Sequence, residues 1–134
     1  MWTLGLLWFA LQGRPAVAGL WLGDRPSAVR AQLGEPEHRQ TSLGLDFWDY
    51  DSRGLSLIWD LDRPALRVIV LKTMAAGVIE GVRVGDRATQ VRARWGAPAR
   101  ARQNGRFVDF PRPTWVQTAE LRDGHVVEIT LTAR

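Results

Sequence analysis

Two hydrophobic rhythms follow one another along this chain, and the chain runs through them twice. Val29 and Leu33 stand one helical turn apart among polar neighbours, the spacing of a short helix that buries one side. Apolar residues then recur at every second position. Segments 46–50, 55–59 and 66–71 read as strands, separated by turns at 51–54 and 60–64. On the second pass Val91 and Trp95 take the helical spacing, and segments 106–110, 114–121 and 125–131 read as strands. Asp123-Gly124 between two β-rich runs is a hairpin signal. Val127, Ile129 and Leu131 alternate with Val126, Glu128 and Thr130, as on a sheet with one wet face.

The recurrence extends to identity. Residues 19–36 return as residues 81–98, 62 positions on, with nine of the eighteen positions unchanged. In each copy an aspartate, Asp24 or Asp86, reads as the helix N-cap, because its carboxylate can accept the free amides of the first turn. Gly34 and Gly96 suit the left-handed residue after a helix, and Pro36 and Pro98 forbid its continuation. Helices this short do not stand alone in water, so each must pack on the strands that follow it. The expected fold is α+β: two tandem repeats, 19–75 and 76–134, each a short helix followed by a three-stranded antiparallel meander. The two meanders are expected to form one continuous curved sheet with the helices on one face.

The first eighteen residues differ from the rest. Residues 4–11 form an uncharged apolar run, and Ala16-Val17-Ala18 follows it before the first repeat. That is the layout of a secretory signal peptide cut after Ala18. The expected location is secreted or periplasmic, or cytoplasmic if the segment is retained. The run is well short of the ~20 apolar residues a transmembrane helix needs, so none is expected in the mature chain.

Composition narrows the chemistry. The 134 residues include no cysteine, which excludes disulfides, thiolate metal sites, a cysteine nucleophile and a lipidated N-terminal cysteine. The net charge is +4, and the basic residues are nearly all arginines interleaved with acids. Residues 92–106 are the exception: Arg92, Arg94, Arg100, Arg102 and Arg106 occur there without an acid, which suggests a polyanion or nucleic-acid binder as the alternative function.

His38 and His125 occupy non-equivalent places and make no metal pair. Asp46, Asp49, Asp51, Asp60 and Asp62 cluster in the first repeat but read as strand-edge and turn acids. No phosphate loop, zinc motif or nucleophile elbow is present. No catalytic residue, metal, cofactor or small-molecule substrate is therefore expected. The aromatics offer more. Trp95 takes the place of Leu33 and reads as core, while Trp48, Tyr50, Trp59 and Trp115 lie in strands and are the candidate partner-binding residues. Trp48 and Tyr50 share a strand face with Asp46, which points that face toward water.

The pattern Gly-x-x-x-Gly-Asp-x-x-x-x-Val-x-x-x-Leu/Trp-Gly-x-Pro, followed by an aromatic strand and a meander, resembles the SmpA/OmlA (BamE-like) domain. In tandem it resembles the β-lactamase inhibitor protein superfamily, and it is also similar to tandem repeats attached to some Gram-positive secreted domains. The resemblance spans residues 19–131 and implies a helix-on-sheet module of the cell envelope that binds proteins and catalyses nothing. In the inhibitor-like form the partner sits on a concave, aromatic-bearing sheet face. The chain departs from the outer-membrane lipoproteins in having two repeats and no cysteine to carry lipid. The expected function is thus a non-catalytic secreted or periplasmic protein-binding module whose partner is another envelope or secreted protein.

Overall fold

The computed structural model describes residues 16–134, so most of the expected leader, residues 1–15, lies outside the described residues. Strands β1 (Ala16–Val17) and β2 (Leu20–Trp21) form a small hairpin that turns through Ala18 and Gly19. Val17 is 3% exposed and belongs to the core, so a cut after Ala18 would remove one core side chain. Helix α1 (Pro26–Leu33) leads into β3 (His38–Ser42), β4 (Leu45–Tyr50), β5 (Leu55–Asp60) and β6 (Arg63–Leu71). After a single 3-10 turn at Met74–Ala76 the plan recurs. Helix α2 (Ala88–Trp95) leads into β7 (Arg100–Arg102), β8 (Phe107–Pro111), β9 (Trp115–Arg122) and β10 (His125–Ala133).

The eight strands from β3 onward make one antiparallel sheet in the order β3-β4-β5-β6-β10-β9-β8-β7. This corrects the expectation of an α+β chain of two helix-plus-three-strand repeats: the protein is mostly one eight-stranded sheet with two short helices. Each half contributes four strands. The ones the sequence did not announce are β3 and β7, at the outer edges. All five residues of β3 are exposed, so no buried face imposes the alternation by which a strand is read.

Register shows where the core lies. Directly opposed residues share a sheet face. Trp48, Leu57, Ile69, Leu131, Gln117 and Phe110 form an unbroken row from β4 to β8, and every one is buried. Both helices pack on this face. In α1, Arg30 lies over the Trp48 ring and the Gly34 carbonyl accepts the Tyr50 hydroxyl; in α2, Trp95 meets Phe110 edge-on at 5.1 Å. The halves meet where Val68–Leu71 pair with Ile129–Thr132.

The duplicated aspartates act differently from their expected role as caps. The residue before each helix is Arg25 or Arg87, and neither Asp24 nor Asp86 supplies a side-chain cap bond. Asp24 Oδ2 instead accepts the Trp21 amide at 2.9 Å, and Asp86 Oδ2 accepts the Arg83 amide at 3.0 Å. Each closes the turn that leads into its helix. The main chain beside each then bonds to the sheet: Leu66 N–H donates to the Asp24 carbonyl and Val126 N–H to the Asp86 carbonyl, both at 2.8 Å. What recurs is therefore a latch between helix and sheet. Gly34 (φ 81°) and Gly96 (φ 88°) follow the two helices, and the Glu37 and Ala99 amides, just past Pro36 and Pro98, donate to the Asp49 and Asp109 carbonyls.

Candidate functional site

The four aromatics offered as docking residues lie inside the protein. Trp48 is 0%, Tyr50 2%, Trp59 2% and Trp115 7% exposed, so none of them presents a ring to a partner. Trp48 and Trp59 pack against each other with centroids 4.3 Å apart. Asp46 was a misleading guide to that face. It is itself buried, and Arg39 holds it through two hydrogen bonds of 3.1 and 2.8 Å while its guanidinium lies 5.3 Å from the Trp48 ring centre. A carboxylate paired in this way can share a face with a buried tryptophan.

The arginine segment does not form one free basic patch. Arg102 makes a two-pronged pair with Asp109 at 2.9 Å, and Arg106 pairs with Glu120 at 2.8–2.9 Å. Arg92, Arg94 and Arg100 are exposed. The acids of the first half do not converge either. Asp60 pairs with Arg67, Asp51 lies 3.7 Å from His38, and Asp49 accepts the Ser56 hydroxyl at 2.6 Å. His125 is exposed and lies against the Asp123 carbonyl. Among the described residues no three metal-binding side chains gather.

The face of the sheet opposite the helices is ordered by row, with Ser56 and Val70 near its centre themselves buried. One row crosses all eight strands: His38, Asp49, Ser56, Val70, Thr130, Thr118, Asp109, Arg100. It is nearly palindromic about its centre. Asp49 takes the Ser56 hydroxyl on one side, and Asp109 takes the Thr118 hydroxyl at 2.7 Å on the other. Next to it runs a row of Gln40, Phe47, Ile58, Val68, Thr132, Val116 and Pro111. Phe47, Ile58, Val68 and Val116 are half-buried. This is an apolar band held between polar borders.

Two carboxyls on this face are shifted in opposite senses. Burial pushes Asp109 upward, but the hydrogen bonds from Arg102 and Thr118 and the charges of Arg102 and Arg100 outweigh it and bring it below the usual aspartate range. Glu128 is raised by burial and by Glu120, which stands directly opposite it; Lys72 only partly offsets this. Phe47, Ile58, Val68 and Val116 are not among the residues predicted from the sequence to bind a partner. Their signal was the second phase of the strand alternation, since each sits next to a residue that is buried.

No protein-family model matches the chain, and no curated protein matches it. Solved structures share its fold. A cysteine-rich secretory protein from Staphylococcus aureus superposes with a TM-score of 0.71 at 6% identity, over 91% of this chain and 46% of that one. An extracellular protein containing an SCP domain, from Bacillus anthracis, gives 0.54 at 10% identity, over 84% of this chain and 44% of that one. A DUF4309 family protein from Bacillus subtilis gives 0.58 at 14% identity, over 83% and 79%. The chain spans less than half the length of the first two. These neighbours replace the resemblance to the SmpA/OmlA domain and to the β-lactamase inhibitor superfamily: neither BamE-like nor inhibitor-like proteins are among them. Among the described residues no helix is long and apolar enough to cross a membrane.

Proposed function

We propose that this chain is a non-catalytic secreted module that docks a folded protein domain on the open face of its sheet. The observation that carries the reading is the band of Phe47, Ile58, Val68 and Val116, half-buried side chains in four strands on the face without helices. Rows of polar residues flank an apolar centre there, the arrangement of a protein interface. The acids and bases around the band are largely engaged with each other, as Asp109 is with Arg102 and Thr118, which suits recognition better than proton transfer. Two structural neighbours described as secretory or extracellular support the secreted location. In both, this fold accounts for under half of a longer chain, which supports a module that works beside a second folded body.

The polyanion alternative is weaker, because Arg102 and Arg106 are already neutralised by Asp109 and Glu120. Site-specific photo-crosslinking in the native host tests the reading, with the probe at Val68 on the band or at Ala31, exposed on helix α1. One dominant protein adduct from Val68 and none from Ala31 is expected. Equal labelling from both positions, or none from Val68, would remove the sheet face as the interface. The intact mass of the exported protein checks the location separately, and only full-length chain in the cytosol would refute it.

A further inference from the structure

The two halves share one element order and one strand pairing, and one place where they fail to match is a hole. Register pairs Arg39 with Trp48 and Trp48 with Leu57 in the first half, and Ala101 with Val108 and Val108 with Ala119 in the second. Val108 therefore occupies the place of Trp48. By the same register Leu121, next but one to Ala119, occupies the place of Trp59. The helices align through the repeat itself, which sets Arg92 where Arg30 stands. In the first half the space between helix and sheet is filled by the two indoles, with the Arg30 guanidinium 4.6 Å above the Trp48 ring centre. In the second half the same space is a cleft of about 230 Å³ walled by Val91, Val108, Phe110 and Leu121, with Thr89 and Arg92 at its rim.

We infer that this cleft is a socket for an aromatic side chain, an indole above all, presented by a partner polypeptide. The first half supplies the template: an indole in this position is fully buried on the helix face of the sheet under an arginine. Size is sufficient, since an apolar cavity of roughly 150 Å³ stays dry and takes up benzene. The walls are apolar, and Val91, Val108 and Phe110 are nine-tenths or more buried, so a ring would be desolvated on entering. Arg92 is exposed where Arg30 is half-buried, and it is free to close over the ring by a cation–π contact. Repacking within the second half has not closed the cleft. Trp95 replaces Leu33 and meets Phe110, but its indole N–H is committed to the Ile79 carbonyl at 2.9 Å. A buried tryptophan is the anchor that most often dominates protein association. The socket lies on the helix face and is independent of the open sheet face.

Methyl NMR of the full chain, titrated with N-acetyl-tryptophanamide, tests the assignment. The Val91, Val108 and Leu121 methyls are expected to shift and saturate in the millimolar range, with N-acetyl-leucinamide at least fivefold weaker. Val108→Trp, which rebuilds the first-half arrangement, is expected to abolish the response while leaving the remaining methyl spectrum folded. Leu121→Phe serves as the blocking variant if Val108→Trp does not fold. Arg92→Gln is expected to weaken binding several-fold without abolishing it. Unmoved methyls at the solubility limit, or an equal response to the leucine probe, would overturn the proposal. So would indole itself binding tenfold more tightly than the capped amino acid, which would make the site one for a small aromatic molecule. Self-association that is lost in Leu43→Ser would also overturn it, since it would assign the cleft to the exposed Leu43 of a second copy.

Discussion

The two halves of this molecule share a backbone plan and differ in what they place beneath the helix. Under α1 lie Trp48 and Trp59, with Arg30 above and Arg39 beside them. Under α2 lie Val108, Leu121 and Ala119, with a cleft above them. The latches that fix helix to sheet are the same in both, down to the Oδ2 of Asp24 and of Asp86. Duplication thus preserved the frame and released the filling. One copy closes its core with aromatics, and the other leaves room. A frame held by turns and main-chain bonds tolerates such divergence, because its geometry does not depend on the volume it encloses.

Emptying the full side is expected to separate the halves most. Trp48→Ala removes a side chain that is 0% exposed and strips Trp59, Arg30 and Arg39 of their partner. A loss of about 3–5 kcal/mol is expected in urea unfolding, in the range for large core truncations. Val108→Ala, its counterpart, takes away less surface next to space that is already open, and about 1 kcal/mol is expected. Equal losses at the two positions would mean that the halves are packed alike and that the cleft closes in solution.

The latches should instead fail alike. Asp24→Ala and Asp86→Ala each remove one charge-assisted acceptor from a main-chain amide, at 2.9 and 3.0 Å. About 1 kcal/mol is expected from each, with the pair additive within error because the sites share no partner. Since neither carboxylate caps a helix, the helical circular dichroism of the folded state is expected to stay intact. Loss of helix signal before unfolding would return these residues to the capping role.

The sequence disclosed the frame better than the filling, for physical reasons. Gly34, Gly96, Pro36 and Pro98 end helices through their own backbone constraints, and such signals are local. The strands β4, β5, β8, β9 and β10 announce themselves by alternation because one of their faces is buried. The exposed edges β3 and β7 have no such asymmetry: His38–Ser42 reads His-Arg-Gln-Thr-Ser and is polar throughout. Alternation also tells that Trp48 and Tyr50 share a face but not which face meets the helices. That depends on contacts between residues distant in sequence, such as the Tyr50 hydroxyl on the Gly34 carbonyl and the Leu66 amide on the Asp24 carbonyl. The cleft was readable only by aligning the copies past residue 98, where a two-residue difference in spacing sets Val108 against Trp48.

The arginine fork on Asp109 is a gentler difference between the halves. Asp109 is held below the usual aspartate range, so its pairing with Arg102 and Thr118 contributes stability above the unfolded-state value of about 3.9. That contribution fades as pH falls through the carboxylate range toward the depressed folded value. Asp109→Asn is expected to be less stable than the parent at pH 7, with the gap narrowing as pH falls through the carboxylate range in urea titrations. Asp49, the counterpart, accepts a serine hydroxyl and has Lys72 only at 3.8 Å, without a two-pronged arginine. Asp49→Asn is expected to cost less than Asp109→Asn in urea unfolding at pH 7. A larger effect at Asp49 would remove the arginine fork as the source of the difference.

The smallest expected effect has the opposite sign. Glu128 stands on β10, one of the two central strands, two rows from the apolar band, where burial and Glu120 raise its folded value above the unfolded one. An acid raised on folding makes no difference while it is protonated in both states. It opposes folding once pH rises past its unfolded value, and the opposition is complete above the folded value. Glu128→Gln keeps the shape and drops the charge, so it is expected to stabilise the protein slightly at pH 7 and not at all near pH 3. Urea midpoints at the two pH values decide it, and a destabilised variant at pH 7 would mean that Lys72 outweighs the burial. A half-buried charge kept at a cost to stability suits a docking surface. If the sheet face is the interface, the partner must satisfy that carboxylate, and Glu128→Gln should weaken docking while it strengthens the fold.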